Sequence, residues 1–437
     1  MNPKEVIPTL EKHILVDGYH LVVDRAKSKG SWIVDARTGK KYLDCYSQFA
    51  SQPLGWNHPS LIDKTNDGDF LKSSWHKIAN SDMYSTTYAE FVSAFSKITP
   101  DFKHYFFIDG GALAVENALK AAFDWKAQIL GWENDHDANE LNVIHLKDAF
   151  HGRSGYTLSL SNTGKPRHFP EENQGRVPPD EAYADMKTKW FPKFNWTRIV
   201  NPKTQHKDVQ LWEKRSLDAA EITLQKGNVA AIILEPIQGE GGDNHFRPMY
   251  FKGLRRLADK YNAMLIFDEV QTGLGLTGRM WAYEHTGVIP DMMCFGKKTQ
   301  VCGFCATNRI DGVKNNVFVQ SGRINSTWGG NITDMERAPI IFDIIKKEKL
   351  VENARAVGNC MLKPLAKLDG ISNVRGKGLM IAFDLPTVKR RDEVIEKLNK
   401  RMMVLKCGEK SIRLRPTLTF SMDDAKLAFK YLKAALK

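Results

Sequence analysis

Two carboxylates and two lysines stand at the ends of two successive apolar runs in the middle of this chain. Residues 263–267, AMLIF, end abruptly in Asp268 and Glu269, and residues 291–296, DMMCFG, end in Lys297 and Lys298. Apolar runs this short, bounded this sharply, read as buried strands. In open α/β sheets ligands bind in the crevice outside the carboxyl ends of the strands, so an acid at one end and a lysine at the next can face a single ligand. A lysine that loses solvation there can shift its pKa and attack a carbonyl as a Schiff-base nucleophile, while a buried aspartate can hold a protonated ring nitrogen. Those are the two needs of pyridoxal 5'-phosphate (PLP), a lysine for its aldehyde and an acid for its pyridinium. The same residues also fit strand ends whose acids and lysines are simply solvated, the commoner fate of such side chains. Other parts of the chain must decide.

A glycine pattern lies between the two pairs. Gly273, Gly275 and Gly278 spell Gly-x-Gly-x-x-Gly, but the first glycine does not come directly off a strand, and no acid-tipped second strand follows about 20 residues on. A dinucleotide site is rejected. Further strand ends then come into view. Residues 104–108, HYFFI, break at Asp109-Gly110-Gly111-Ala112 and lead into a helical pattern with Val115, Ala118, Leu119, Ala122 and Phe123 on one face. Glycine-rich backbone entering a helix offers free N–H groups and a positive dipole end to a phosphate, although a plain strand-to-helix turn reads the same. Residues 141–146 lead into Ala149-Phe150-His151-Gly152-Arg153, where a flat aromatic suits stacking on a ring and an arginine suits bidentate capture of a carboxylate. Residues 229–234 form a third acid-tipped run, ending in Glu235 and followed by Gln238-Gly239-Glu240-Gly241-Gly242.

The segment IFDEVQTGLGLTG, taken with FGKKTQVCG, resembles the class III, fold type I PLP-dependent aminotransferases, and the resemblance covers nearly the whole chain. Within that family it is most similar to members that transaminate the side-chain amine of L-lysine with 2-oxoglutarate. Ornithine and 4-aminobutyrate are the alternatives within the class. Phe49, in SQFASQPLGWNHP, weakens the ornithine reading because ornithine enzymes carry a substrate-binding tyrosine there. The resemblance implies an α/β fold with a mostly parallel seven-stranded sheet in a large domain (61–333), plus a small α+β domain built from 1–60 and 334–437.

It also implies roles. Lys297 is the Schiff-base lysine and Asp268 the pyridinium partner, while Lys298 is a neighbour. Gly111 and Ala112 hold the cofactor phosphate, Phe150 packs beside the cofactor, His151 and Glu235 lie near its ring, and Val270 and Gln271 lie beside the ring and its hydroxyl. Arg153 receives the carboxylate distal to the reacting amine, and Glu240 pairs with a substrate arginine. In RINSTWGG (323–330), Thr327 reaches the phosphate of a neighbouring subunit and Asn325 contacts substrate, so a homodimer with shared active sites is expected. In SIRLRPTL (411–418), Arg413 matches the arginine for the α-carboxylate, while Arg415 stands where many relatives have an apolar residue. Either arginine could be structural.

Composition agrees with a globular enzyme. The chain has 437 residues, 42% of them hydrophobic, which is enough for two domains and a large core. No apolar run approaches the ~20 residues that cross a bilayer, and MNPKEVIPTLEKH is too charged for a signal peptide, so a cytoplasmic protein is expected. The six cysteines are scattered, and the one Cys-x-x-Cys, Cys302 to Cys305, lacks the second pair of a zinc site. They read as reduced and mostly buried, with no metal. The net charge of +12 arises from 63 basic residues spread among 51 acids. Runs such as Lys389-Arg390-Arg391 read as solvated faces, and neither nucleic acid nor membrane is an expected partner. A basic binding or scaffold protein that kept the fold without catalysis predicts decay at Lys297, Asp268 or Arg153, and all three are present. Asp135-His136-Asp137 reads as a polar surface loop rather than as metal ligands, and 162–205 shows weak periodicity.

Overall fold

A computed structural model describes residues 1–66, 68–132, 137–163, 188 and 190–437. Asp135, His136 and most of the stretch 162–205 lie outside the described residues. Seven strands form the central sheet: β1 (His104–Ile108), β2 (Asn142–Leu146), β3 (Thr197–Ile199), β4 (Val229–Leu234), β5 (Met264–Asp268), β6 (Met292–Phe295) and β7 (Cys302–Ala306). They lie side by side in the order β1-β7-β6-β5-β4-β2-β3. Only β7 runs against its two neighbours, and the other four pairings are parallel. This is the mostly parallel seven-stranded sheet of fold type I.

Alternation within the strands explains why the sheet is buried on both faces. Met264 and Ile266 of β5 join a core with Val115, Leu119 and Trp125 of the helix Gly111–Ile129. Leu265 and Phe267 point the other way, into a core with Phe251, Leu254 and Leu257 of the helix Pro248–Lys260. Successive strand side chains face opposite sides, so a sheet covered by helices on both faces needs continuous apolar runs such as MLIF, and here it has them. Since β1, β2, β4, β5 and β6 point the same way, Asp109, Lys147, Glu235, Asp268 and Gly296 all emerge on one edge. Register sharpens the alignment: Cys294 pairs with Asp268, and Leu234 with Phe267.

Besides a two-stranded ribbon of Ile237–Gln238 and Asn244–His245, two smaller sheets accompany the central one among the described residues. Trp32–Val34 pairs antiparallel with Lys41–Asp44, which pairs in turn with Met402–Met403, so the two ends of the chain share a sheet. The other sheet is antiparallel, in the order Ser372–Lys377, Met380–Asp384, Ser411–Leu414, Leu405–Cys407. The strand Met380–Asp384 lies between Ser372–Lys377 and Ser411–Leu414, and the last of these ends before Pro416, which has no N–H to donate. The basic run at 389–391 is not a solvated face throughout. Lys389 is exposed, whereas Arg391 is buried and donates to the Glu409 carbonyl and to Asp392.

All six cysteines are free; Cys45, Cys294, Cys305 and Cys407 are buried and Cys360 is exposed. Among the described residues, no helix is long and apolar enough to cross a membrane, and no group of His, Cys, Asp and Glu could hold a metal.

Candidate active site

The strand ends open into a cavity of about 1260 Å³ lined by Gly111, Ala112, Phe150, His151, Arg153, Glu235, Glu240, Asp268, Val270, Gln271 and Lys297. At one end the helix Gly111–Ile129 begins, behind Gly110 at φ 104°. Its first turn leaves backbone N–H groups without intrahelical partners, a ready anion site. Glycine is required at 111 because a Cβ there would come within 2.8 Å of Val270 Cγ1.

Beyond this helix end, Asp268 is buried. Its Oδ1 accepts the N–H of Val270 at 3.0 Å, and its Oδ2 lies 2.8 Å from His151 Nδ1. The other ring nitrogen of His151 is buried with no partner among the described residues. Glu269 turns to the opposite face of the strand end. It does not line the cavity, and instead accepts from the Thr272 hydroxyl and from the N–H groups of Ala282 and Tyr283. The two acids that look equivalent in sequence are therefore separated by strand alternation into one cavity group and one structural group. Glu235, also buried, accepts the N–H of Phe150 at 3.0 Å and that of Gly239 at 2.9 Å, and burial pushes its carboxyl up to about 7.

The two lysines separate in the same way. Lys297 lines the cavity at φ 53°, and burial lowers its amine below the ordinary lysine value. Lys298 points away and is 2% exposed, donating to the carbonyls of Gln271 at 2.7 Å and Ala50 at 3.1 Å. A lysine buried against carbonyls pays for desolvation, and Lys298 is driven well below its usual pKa. It is not the solvated side chain that its sequence context also allowed.

At the far end, Glu240 Oε2 meets Arg413 Nη2 at 2.5 Å. Arg413 is buried, and its Nε and Nη1 have no partner among the described residues. Arg415 differs: both of its terminal nitrogens donate to buried Asp243, and Gln271 Oε1 takes a further bond from its Nε at 3.2 Å. Arg153 is exposed at the cavity mouth, its guanidinium carbon 5.9 Å from the centre of the Phe150 ring. Asn325 and Thr327 are exposed and do not line this cavity. The segment that carries them is held to residues 80–81, with Asn80 Nδ2 donating to the Trp328 carbonyl at 2.9 Å and Ser81 Oγ to that of Thr327 at 3.3 Å.

A profile of the class III aminotransferases matches residues 15–436. The chain belongs to the class III aminotransferases. It is 42% identical to the L-lysine-epsilon aminotransferase of Amycolatopsis lactamdurans over 99% of this chain and 96% of the relative. A 4-aminobutyrate aminotransferase of Kluyveromyces lactis is 32% identical over 93% of this chain and 88% of its own length. The solved lysine aminotransferase from M. tuberculosis superimposes with a TM-score of 0.89 at 43% identity, covering 100% of this chain and 99% of that one.

This class III aminotransferase uses PLP, and its cavity suits that group. A helix N-terminus suits the phosphate, a buried carboxylate the ring nitrogen, and an aromatic face the ring; a lysine of lowered basicity suits the aldehyde. Sequence reasoning missed Gln48, Gln300 and Cys302 in the lining. Cys302 arrives because β7 turns back antiparallel and pairs it with Ile108, and a five-residue strand containing Gly303 gave no periodic signal.

Proposed function

We propose that this enzyme transfers the ε-amino group of L-lysine to 2-oxoglutarate, giving 2-aminoadipate 6-semialdehyde and L-glutamate. The relatives named for lysine support the substrate, since their identity exceeds that of the 4-aminobutyrate enzyme over comparable coverage. The observation that carries the chemistry is the Glu240–Arg413 pair, with the other guanidinium nitrogens of Arg413 left without partners among the described residues. Lysine presents only methylenes beside its reacting ε-carbon, whereas glutamate presents a carboxylate beside its reacting α-carbon. An arginine for that carboxylate would be an unpaired buried charge while lysine reacts. Glu240 neutralises it then, and yields Arg413 when glutamate or 2-oxoglutarate arrives. The occupied Asp243 clamp on Arg415 favours Arg413 over Arg415 in this role.

PLP, when bound, supplies an aldehyde carbon and an electron-withdrawing ring. In this reading Lys297 would hold the aldehyde and, once freed by the substrate amine, would carry the proton from the ε-carbon of lysine to the former aldehyde carbon of the cofactor, a transfer that its lowered basicity suits. Asp268, braced by His151 and the Val270 N–H, would hold the ring nitrogen in its positive form. Gly111 and Ala112 hold the phosphate, and Phe150, Val270, Glu235 and Gln271 bound the ring. Arg153, at the open mouth, binds the distal carboxylate in both half-reactions. Thr327 and Asn325, exposed and outside their own cavity, serve the site of a partner subunit in a homodimer. The shared sheet of Lys41–Asp44 and Met402–Met403 supports a small domain made of both chain ends, with boundaries near 60 and 334.

A panel of lysine, ornithine and 4-aminobutyrate with 2-oxoglutarate, with the products identified, tests the assignment. Fastest turnover of lysine, yielding the semialdehyde, is expected. Faster turnover of either alternative would replace lysine as the substrate.

A further inference from the structure

Ser47–Ala50 form one turn at the cavity rim in which every φ is positive: 41° at Ser47, 55° at Gln48, 57° at Phe49 and 64° at Ala50. None is glycine. In a left-handed turn each Cβ is crowded by the following carbonyl, so the conformation persists only where its surroundings fix it. One end of the turn is fixed by Asp44, whose Oδ1 accepts the N–H groups of Tyr46 at 2.9 Å and Ser47 at 2.6 Å, and by Ser47 Oγ, which donates to the Arg415 carbonyl at 2.5 Å. The other end is fixed by the Lys298 amine, shared between the carbonyls of Ala50 and Gln271. Between these anchors, Gln48 and Phe49 line the cavity.

We infer that Lys298 is a positioning residue: its amine locks the left-handed turn Ser47–Ala50 to the backbone of Gln271 and so fixes Gln48 and Phe49 as a wall against which the amine substrate binds. This rests on the transaminase reading, in which Lys297 rather than Lys298 carries the cofactor. The turn meets the cavity at its rim, so loosening it acts on substrate affinity more than on the chemical step.

Lys298→Met keeps the side-chain stem and removes the donor. The variant holoenzyme is expected to retain the visible absorbance of lysine-linked cofactor and to show a KM for the amine substrate raised about tenfold, the scale of one buried hydrogen bond, with kcat within about twofold. Ala50→Gly removes a Cβ that opposes the left-handed turn, so the double variant Lys298→Met/Ala50→Gly should recover most of the KM. An unchanged KM in Lys298→Met, or a loss that glycine at 50 does not relieve, overturns the lock. A colourless Lys298→Met enzyme instead overturns the assignment of Lys297 beneath it. Ser47→Ala removes the hydroxyl anchor at the opposite end of the turn, leaving the Asp44 contacts, without touching either lysine, and it carries the test should Lys298→Met fail to fold. The same KM-selective rise is expected, and an unchanged KM refutes the proposal.

Discussion

The carboxylate of Glu240, 41% exposed, lies 2.5 Å from the guanidinium of Arg413, which is 1% exposed. An asymmetric pair of this kind can open from one side only, because the glutamate has somewhere to go and the arginine does not. Glu240→Ala should therefore slow the lysine half-reaction by about tenfold to a hundredfold, the cost of leaving a buried charge unpaired, and leave the glutamate half-reaction nearly intact. Arg413→Ala should do the reverse. Single-turnover measurement of each half-reaction decides, and equal losses in both halves for the Glu240 variant would make it a structural acid.

Lys297→Ala should lose turnover by more than about a thousandfold, because it removes both the nucleophile and the proton carrier. Lys298 cannot replace it, since its amine is engaged by two carbonyls on the far side of the strand end. The visible absorbance of lysine-linked cofactor should vanish with Lys297, and its survival would show that the two lysines were assigned in the wrong order.

Asp268→Asn keeps the shape of the site and removes the charge. It should retain cofactor through the helix N-terminus yet turn over at least about a hundredfold more slowly, because an amide cannot stabilise a protonated pyridine as a carboxylate does. Steady-state rates on cofactor-saturated enzyme check this, and a near-normal rate would remove Asp268 from the ring nitrogen.

Thr327→Ala should weaken cofactor retention about ten- to a hundredfold, as loss of a hydrogen bond to a charged group does. Heterodimers of Thr327→Ala with Lys297→Ala subunits should hold sites of unequal cofactor affinity, read by equilibrium dialysis. Identical affinities in both sites would argue that each subunit completes its own phosphate site.

Burial holds the Lys298 amine well below the ordinary lysine pKa of 10.5, and the facing charges of Lys297 and Arg415 lower it further while Glu269 opposes them. The unfolded chain then binds this proton more tightly than the folded one. Stability of the cofactor-free enzyme must therefore rise with pH between the depressed and the ordinary value. The melting-temperature difference, wild type minus Lys298→Met, should grow more positive as pH rises toward the ordinary lysine value of 10.5. A flat difference would mean that Lys298 does not titrate differently in the two states.

Strong apolar runs made the sheet legible: 104–108, 229–234 and 263–267 appear as β1, β4 and β5 to within a residue. The cavity groups at their ends were legible for the same reason, since a polar residue that halts a buried run must meet something there. Pairing between distant segments was not. Nothing local in CGFCA signals a strand running against its neighbours, and nothing in SQFA signals a left-handed turn, because each depends in part on far partners, the strand 104–108 in one case and Lys298 and Arg415 in the other. The contrast between Arg413 and Arg415 was invisible too: two arginines two positions apart look alike until Asp243 claims one of them.

The glycines around Glu240 look like a hinge in sequence, yet they allow close approach. A Cβ at Gly239 would lie 2.3 Å from Gln271 Oε1, and one at Gly241 would lie 2.0 Å from the Asp148 carbonyl oxygen. The Glu240 carbonyl also receives the Gly408 N–H at 2.8 Å. With the Glu240 backbone held on three sides, the proposed exchange falls to rotation of its side chain rather than to a glycine hinge, and exposed side chains rotate in roughly picoseconds to nanoseconds. Enzyme turnover occupies roughly milliseconds to a second. Under the proposed exchange, a side-chain rotation of this kind is sampled many times within each catalytic cycle, so alternating between the two substrates is expected to introduce no lag.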